Sequence, residues 1–390
     1  MRTERKGKRA NGRLEFYYIT HVDNLPSIFE KGLLSNKRVN ETGLSYKKIA
    51  NTEILKKRKE KGLEDYVNLY INPRNAMMYQ ISRLGWNLAI LAIKGEVLKH
   101  YPDIKISIGN AASDYSIILD RSGISNIHLT KLLSEVRKIK DWTSETQIDI
   151  SRFFKDNRPH RFLSLKVFLQ SEVLVRGLVD RKFFSCIYVP NDELKNHLKE
   201  LVNSYNIPII NAPELFFKPI RREKVLENIW IVQGDMFNSE YELLTISVNT
   251  VGVMGKGLAS RFKYLYPEIY VVYEKLCKQG ILKLGKPFIY DAPELGRKFL
   301  LFPTKGHWRE KSRLDKIEEG LKWFLDNYSK YEIKSAAFPA LGCGLGGLNW
   351  EEVGSVMLNL LSKANIPIEI YLPEEKNPLE QYFKKEFYLK

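Results

Sequence analysis

Two glycine-rich stretches, Asn249 to Gly257 and Leu341 to Gly347, each follow a segment that reads as a strand and open onto a helical one. Backbone N–H groups from such loops, with the positive helix ends behind them, hold a pyrophosphate without many cations. One loop of this kind is more simply read as a turn of the chain. Two of them, with Gly234-Asp235 after another strand, point to a phosphate-bearing ligand. Neither stretch fits the P-loop pattern, and no G-x-G-x-x-G follows the first strand of this region. Elsewhere, Glu172 interrupts the apolar run from Leu169 to Val175, where a charge needs either a partner or a function. Arg74 follows the break Asn72-Pro73 between a strand and a helix, a junction from which side chains reach ligands. Lys305 stands at a strand end, where a surface lysine is the ordinary reading.

The elements that must position these residues fall into two regions. From residue 228 onward, strands expected at 229–232, 243–249, 288–290, 299–303, 335–339 and 368–372 alternate with helices at 258–266, 269–279, 313–328 and 349–364. That rhythm favours a sheet flanked by helices on both faces, with ligands at the loops after the strand ends. Before it, strands are expected at 16–20, 66–71, 88–93, 187–190 and 207–210, with helices at 24–31, 124–140 and, capped by Asn191, up to about 203. The charged stretch 47–64 reads as a solvated helix or mobile loop. Residues 214–227, with Pro219 and a basic run, read as a linker between domains 1–213 and 228–390.

A length of 390 residues suits two domains. No segment approaches the ~20 apolar residues that span a bilayer, so no membrane partner is expected. The opening Met-Arg-Thr-Glu-Arg-Lys lacks the apolar core of a secretory signal, and cytoplasm is the expected location. Cys186, Cys277 and Cys343 form no C-x-x-C pair, so neither a disulfide framework nor a metal is expected. A net charge of +16 makes nucleic acid the leading partner class. Arg2, Arg5, Lys6, Lys8, Arg9 and Arg13 suit a DNA groove, and tyrosines such as Tyr46 and Tyr79 suit base stacking.

Val248-Asn249-Thr250 with Met254 to Ala259, Phe-Pro-Thr-Lys-Gly-His-Trp at 302–308, and Pro339 to Leu345 resemble the macrodomain of DarG antitoxins and of the terminal ADP-ribose glycohydrolase of animals. The resemblance covers nearly the whole second region. It implies an α/β macrodomain with a mixed sheet flanked by helices, ADP-ribose as ligand, and hydrolytic release of ADP-ribose from a modified base. Under it, Asp235 receives the adenine, Asn249 the distal ribose, and the Gly255 and Gly344 loops the pyrophosphate, with Gly234, Gly257, Gly342, Cys343 and Leu345 also lining the ADP-ribose site. Lys305 matches the catalytic lysine, acting by covalent attack at the anomeric carbon or by polarising the leaving base. Where the animal relative carries an aspartate, this chain has Gly346.

In the first region, Ile19-Thr20-His21 with Asp23-Asn24-Leu25, Leu69 to Tyr79, Gly109 to Ser113, and Gln170 to Val175 resemble DarT toxins, in the expected order. That resemblance implies an α+β ADP-ribosyltransferase-like fold and transfer of ADP-ribose from NAD to a base, thymine on family grounds, in single-stranded DNA. Glu172 matches the carboxylate that stabilises an oxocarbenium-like ribose, and Arg74 the essential arginine. Tyr18, Thr20, His21, Asn24 and Tyr79 are expected to line the NAD pocket. Tyr18 stands where relatives commonly carry histidine, and Ser171 where they carry alanine. The chain is therefore expected to be a fused toxin and antitoxin. The alternatives are a non-catalytic ADP-ribose reader beside a decayed transferase, or a transferase acting on guanine, RNA or protein.

Overall fold

A computed structural model describes residues 14–154, 159–372 and 378–388. The basic residues from Arg2 to Arg13 lie outside them. The chain divides into two units, one ending at Phe217 and the other beginning at Lys218.

The first unit is built on an eight-stranded sheet. In chain order its strands are β1 (Glu15–His21), β2 (Tyr66–Tyr70), β3 (Leu88–Lys94), β4 (Ile104–Ile108), β5 (Ile117–Asp120), β6 (Glu172–Arg176), β7 (Phe184–Val189) and β8 (Ile209–Asn211). Across the sheet they run β8-β7-β3-β1-β2-β6-β4-β5. Every pairing is antiparallel except β7 with β8. In β3, period-two alternation sends Ala89, Leu91 and Ile93 to one core and Leu88 and Ile90 to another. The larger core is closed by helices α1 (Leu25–Lys31), α4 (Asn126–Lys138) and α5 (Asp192–Leu201), whose Leu25, Leu132 and Leu198 are fully buried. As the sequence implies, Asn191 caps the last of these, its Oδ1 accepting the Leu194 amide at 2.8 Å. Two more helices, α2 (Thr52–Glu60) and α3 (Ala76–Ile81), complete the frame of the site.

The second unit is a three-layer sandwich around strands β9 (Arg221–Leu226), β10 (Ile229–Gln233), β11 (Leu243–Asn249), β12 (Phe288–Ala292), β13 (Arg297–Lys305), β14 (Ala336–Pro339) and β15 (Ile368–Leu372). Their order is β9-β10-β15-β14-β11-β13-β12. The five central strands are parallel and both edges antiparallel. This is the mixed sheet expected. In β13, Leu300 and Phe302 face helices α8 (Leu314–Asn327) and α9 (Trp350–Leu361), while Phe299 and Leu301 face α6 (Gly257–Leu265) and α7 (Pro267–Lys278). A strand buried on both faces reads as a continuous apolar run, which is why it was visible in the sequence.

The stretch expected as a linker, 214–227, is occupied by elements of the two units. Phe216 and Phe217 pack into the smaller core of the first unit. Strand β9 is hydrogen-bonded to β10. It reads as a charge run because an edge strand keeps one face in water and tolerates Arg, Glu and Lys there.

Candidate functional site

In the first unit, Glu172 opens β6 in the middle of the sheet, 1 % exposed, with Tyr70 and Ser107 beside it in register. Its carboxylate accepts three donors: Arg58 Nη1 at 3.2 Å, the Ala111 amide at 3.3 Å and Asn68 Nδ2 at 3.5 Å. Arg58 lies on α2, inside the stretch expected to be solvated, and is 5 % exposed. Most of that helix does face water, but this one arginine turns inward. Its other terminal nitrogen, Nη2, is buried with no hydrogen-bond partner among the described residues. Burying an ion pair offsets its desolvation only when the remaining polar atoms are satisfied, so an unsatisfied donor beside a carboxylate suggests room for an acceptor from a ligand.

The Ala111 amide is delivered by the Gly109-to-Ser113 loop. Ser171 anchors that loop, its Oγ accepting the Gly109 amide at 3.0 Å while donating to the Phe168 carbonyl at 2.6 Å. The residue that replaces the usual alanine thus ties the loop beside Glu172. Tyr18 belongs to the same constellation. Its hydroxyl is pushed up to about 12, first by burial, then by Tyr46, against the opposing pull of Arg58. Burial, reinforced by Glu172, also raises Tyr70.

Thr20, His21 and Asn24 gather at the end of β1. Both amide protons of Asn24 are used, donating to Thr20 Oγ1 at 3.1 Å and the Lys47 carbonyl at 2.9 Å, and its Oδ1 accepts the Lys47 amide at 2.8 Å. It clips the segment that carries Tyr46. His21 Nδ1 accepts the Asp23 amide at 3.2 Å, and burial lowers its pKa below the usual histidine range. Arg74 and Tyr79 meet at Phe217. The Arg74 guanidinium stacks 5.0 Å from Phe217, the Tyr79 ring meets Phe217 at 5.2 Å and Trp142 at 5.7 Å, and Arg74 Nε is buried without a hydrogen-bond partner among the described residues. Arg58, and not Arg74, is the arginine bonded to Glu172.

In the second unit three loops meet around Lys305. Lys305 ends β13 in register with Asn249 at the end of β11. Its Nζ donates to the Leu345 carbonyl at 2.5 Å. Thr250 donates twice to the Gly306 carbonyl, at 3.1 Å from its amide and 2.8 Å from its hydroxyl. Asn249 organises its own loop, accepting from the Val251 and Val253 amides and donating to the Val253 carbonyl at 2.6 Å. Among the described residues, a Cβ on Gly255 or Gly344 would meet nothing within 4 Å, so their backbones stand open to a ligand. Helix α6 begins just after Gly255 and Lys256 with no side-chain cap on its amides. The left-handed φ of Gly257 and Gly342, +62° and +72°, favours glycine at both.

Asp235 is bonded to Arg261 of α6, at 2.7 and 3.2 Å, and caps the Phe237 amide. Gly234 backs onto Pro219, whose Cα would stand 3.1 Å from an added Cβ. Cys343 packs partly against the core, whereas Leu345 is 68 % exposed. Gly346 has no room for a side chain: a Cβ would fall 2.3 Å from the Gly342 carbonyl oxygen and within 2.4 Å of Ser312 Oγ. Arg58 and Arg261 were both missed in the sequence: Arg58 sits in a run of basic residues on its helix, and nothing in the sequence ties Arg261 to Asp235, 26 residues earlier. Among the described residues no cluster of three or more His, Cys, Asp or Glu could hold a metal, and no helix is long and apolar enough to cross a membrane.

An antiparallel α+β unit with a buried carboxylate, followed by a parallel-centred α/β unit with open glycine loops, defines a transferase-like unit joined to a macro-type one. Residues 17–217 match the family described as ssDNA thymidine ADP-ribosyltransferase, DarT, and residues 247–357 match the Macro domain. Over 388 residues the chain is 43% identical to a DNA ADP-ribosyl transferase-DNA ADP-ribosyl glycohydrolase fusion protein of Thermosipho africanus, covering 93% of this chain and 95% of that one. The solved structure of Thermosipho africanus DarTG in complex with ADP-ribose has a TM-score of 0.85 at 42% identity, covering 96% of this chain and all of that one. The second unit is also 41% identical over 150 residues to a DNA ADP-ribosyl glycohydrolase of Thermus aquaticus, spanning 38% of this chain and 41% of that protein. The chain belongs to the family of DNA ADP-ribosyltransferase–glycohydrolase fusions.

Proposed function

We propose that the first unit transfers ADP-ribose from NAD to thymine in single-stranded DNA, and that the second removes it by hydrolysis, with Glu172, Arg74 and Lys305 as catalytic residues. The observation that carries this reading is the environment of Glu172: a carboxylate 1 % exposed, oriented by three donors, beside a buried arginine nitrogen with no hydrogen-bond partner among the described residues. The unpartnered Arg58 Nη2 and Arg74 Nε suit the acceptor-rich surface of NAD. When bound, NAD supplies an ADP-ribosyl group on a good leaving group, nicotinamide.

Around that group, Glu172 accepts hydrogen bonds from ribose hydroxyls and faces the positive charge that develops at the anomeric carbon. Arg58 and the Ala111 amide fix its direction. Thymine in DNA has one free ring N–H, so bond formation at that nitrogen releases one proton, for which the Glu172 carboxylate is the acceptor. Tyr18, Thr20, His21, Asn24 and Tyr79 frame the pocket. In the second unit Gly234 and Asp235 receive the adenine and Asn249 the distal ribose. The backbones of Gly255, Gly257, Gly342, Cys343, Gly344 and Leu345 surround the pyrophosphate. Lys305 works at the anomeric carbon. Covalent attack there leaves an adduct that borohydride traps, and polarisation of the departing base leaves none.

The test is mass spectrometry of oligonucleotides incubated with NAD. Lys305→Ala accumulates ADP-ribosylated thymine-containing strands, and strands without thymine stay unmodified. Adding Glu172→Ala to that variant abolishes the product; a strand still modified by the double variant removes Glu172 from the mechanism.

A further inference from the structure

The Phe-Pro-Thr-Lys-Gly-His-Trp segment supplies Lys305, but its last residues have no role in holding ADP-ribose as described above. Trp308, three residues past Lys305, is 47 % exposed. The Arg309 guanidinium lies over its ring, 4.5 Å from the centroid, and the His307 ring, tilted by 34°, has its centroid 5.2 Å away. The turn is not loose. Thr250 holds the Gly306 carbonyl, and the Glu310 carboxylate accepts the His307 amide at 3.1 Å. That acidic group is thereby turned back onto the turn's own backbone. Lys311 lays its stem near Gly347 of the third loop, with its chain 4.0 Å from where a Cβ would stand. Segment 305–311 therefore carries Lys305, Arg309 and Lys311 against the single carboxylate of Glu310.

An exposed indole costs solvent-facing apolar area, and in a turn pinned at both ends it costs little further ordering to use. A flat π-surface flanked by cations is how proteins hold single-stranded nucleic acid without reading its sequence, at ~1–3 kcal/mol per stacked base. We propose that Trp308, with Arg309 and Lys311, is the shelf on which the DNA strand bearing the modified base lies while Lys305 acts: a nucleobase stacks on the exposed part of the indole, the Arg309 guanidinium backs the ring and adds positive charge, and Lys311 faces backbone phosphates. The proposal rests on the glycohydrolase reading and adds a binding surface for the leaving strand. It implies that the unit distinguishes a modified strand from a modified nucleoside.

The full chain, without NAD, is given ADP-ribosylated thymidine and, separately, an ADP-ribosylated thymine-containing oligonucleotide, and ADP-ribose release is followed. Wild type is expected to prefer the oligonucleotide in kcat/KM. Trp308→Ala is expected to reduce that preference ~10-fold or more through KM, the equivalent of losing one stacked base. Trp308→Phe should retain most of it, and Arg309→Gln should flatten its dependence on salt. An oligonucleotide-to-nucleoside ratio unchanged in Trp308→Ala overturns the shelf. No release by wild type from either substrate overturns instead the glycohydrolase reading beneath it.

Discussion

The contact between Arg58 and Glu172 sets the energetics of the first site. Both groups are nearly dry, so removing the arginine leaves an uncompensated buried carboxylate, a change that costs ~3–5 kcal/mol. Arg58→Ala is therefore expected to lower the urea midpoint of the first unit markedly and to abolish DNA modification. Replacing both residues, as Arg58→Met with Glu172→Gln, should recover much of the stability and none of the activity. Recovery of both together would contradict the assignment of Glu172. Gly346 presents the opposite situation, a residue defined by lack of space. An aspartate there would drive a Cβ into the Gly342 carbonyl and the Ser312 hydroxyl, so Gly346→Asp is expected to destabilise the second unit by ~1–3 kcal/mol and not to speed release of ADP-ribose. Faster turnover in that variant would show that the loop yields more readily than its packing implies.

At the scale of elements, the site depends on clips that hold loops against strand ends. Asn24 is one, with three hydrogen bonds joining β1 to the Lys47 segment. Asn24→Ala should free residues 44–50 to exchange amide hydrogens faster, at a local cost of roughly 1–3 kcal/mol, and raise the KM for NAD. His21, beside it, gives the same strand end a pH dependence. Burial lowers its pKa in the folded chain, so the unfolded chain binds the proton more readily. The neutral ring's contribution is complete above the ordinary histidine value and is lost as pH falls through the lowered one. Thermal stability of the first unit should decline below about pH 6.5 for this reason, and His21→Asn should remove that part of the decline. The same elements show what could be read in advance. Strands buried on both faces, such as Arg297–Lys305, announce themselves as apolar runs, and Asn191 announced its helix by its cap. The edge strand Arg221–Leu226 did not, because half its side chains belong in water. The hairpin Ile104–Ile108 with Ile117–Asp120 is short, and its turn resembled an ordinary loop. Arg58 was invisible for a different reason: its partner lies 114 residues away, and nothing in a run of lysines and arginines marks the one that faces a sheet.

For the whole molecule, the consequence of fusion is that each modified strand is made on a chain that also carries the means to restore it. Lys305→Ala in cells is expected to arrest growth where wild type does not, and Glu172→Ala in the same chain to restore it. The tether makes a sharper prediction, because a covalent link sets an effective concentration, on the order of millimolar for a short connection, that does not change when the protein is diluted. The connection here is short, since the last packed residues of the first unit, Phe216 and Phe217, are followed within a few residues by strand Arg221–Leu226 of the second. Beyond the length that spans the two sites, inserting ever longer flexible Gly/Ser segments between Phe217 and Lys218 lowers that concentration roughly as the −3/2 power of length. In an oligonucleotide assay with NAD at nanomolar protein, the share of strands that escape while still modified should therefore rise with the length of the insert. The chain with Lys305→Ala sets the upper limit. If escape follows bulk protein concentration alone and is indifferent to the insert, modified strands leave the chain before the second unit meets them, and protection in the cell is a matter of how much protein is present rather than of its being one chain.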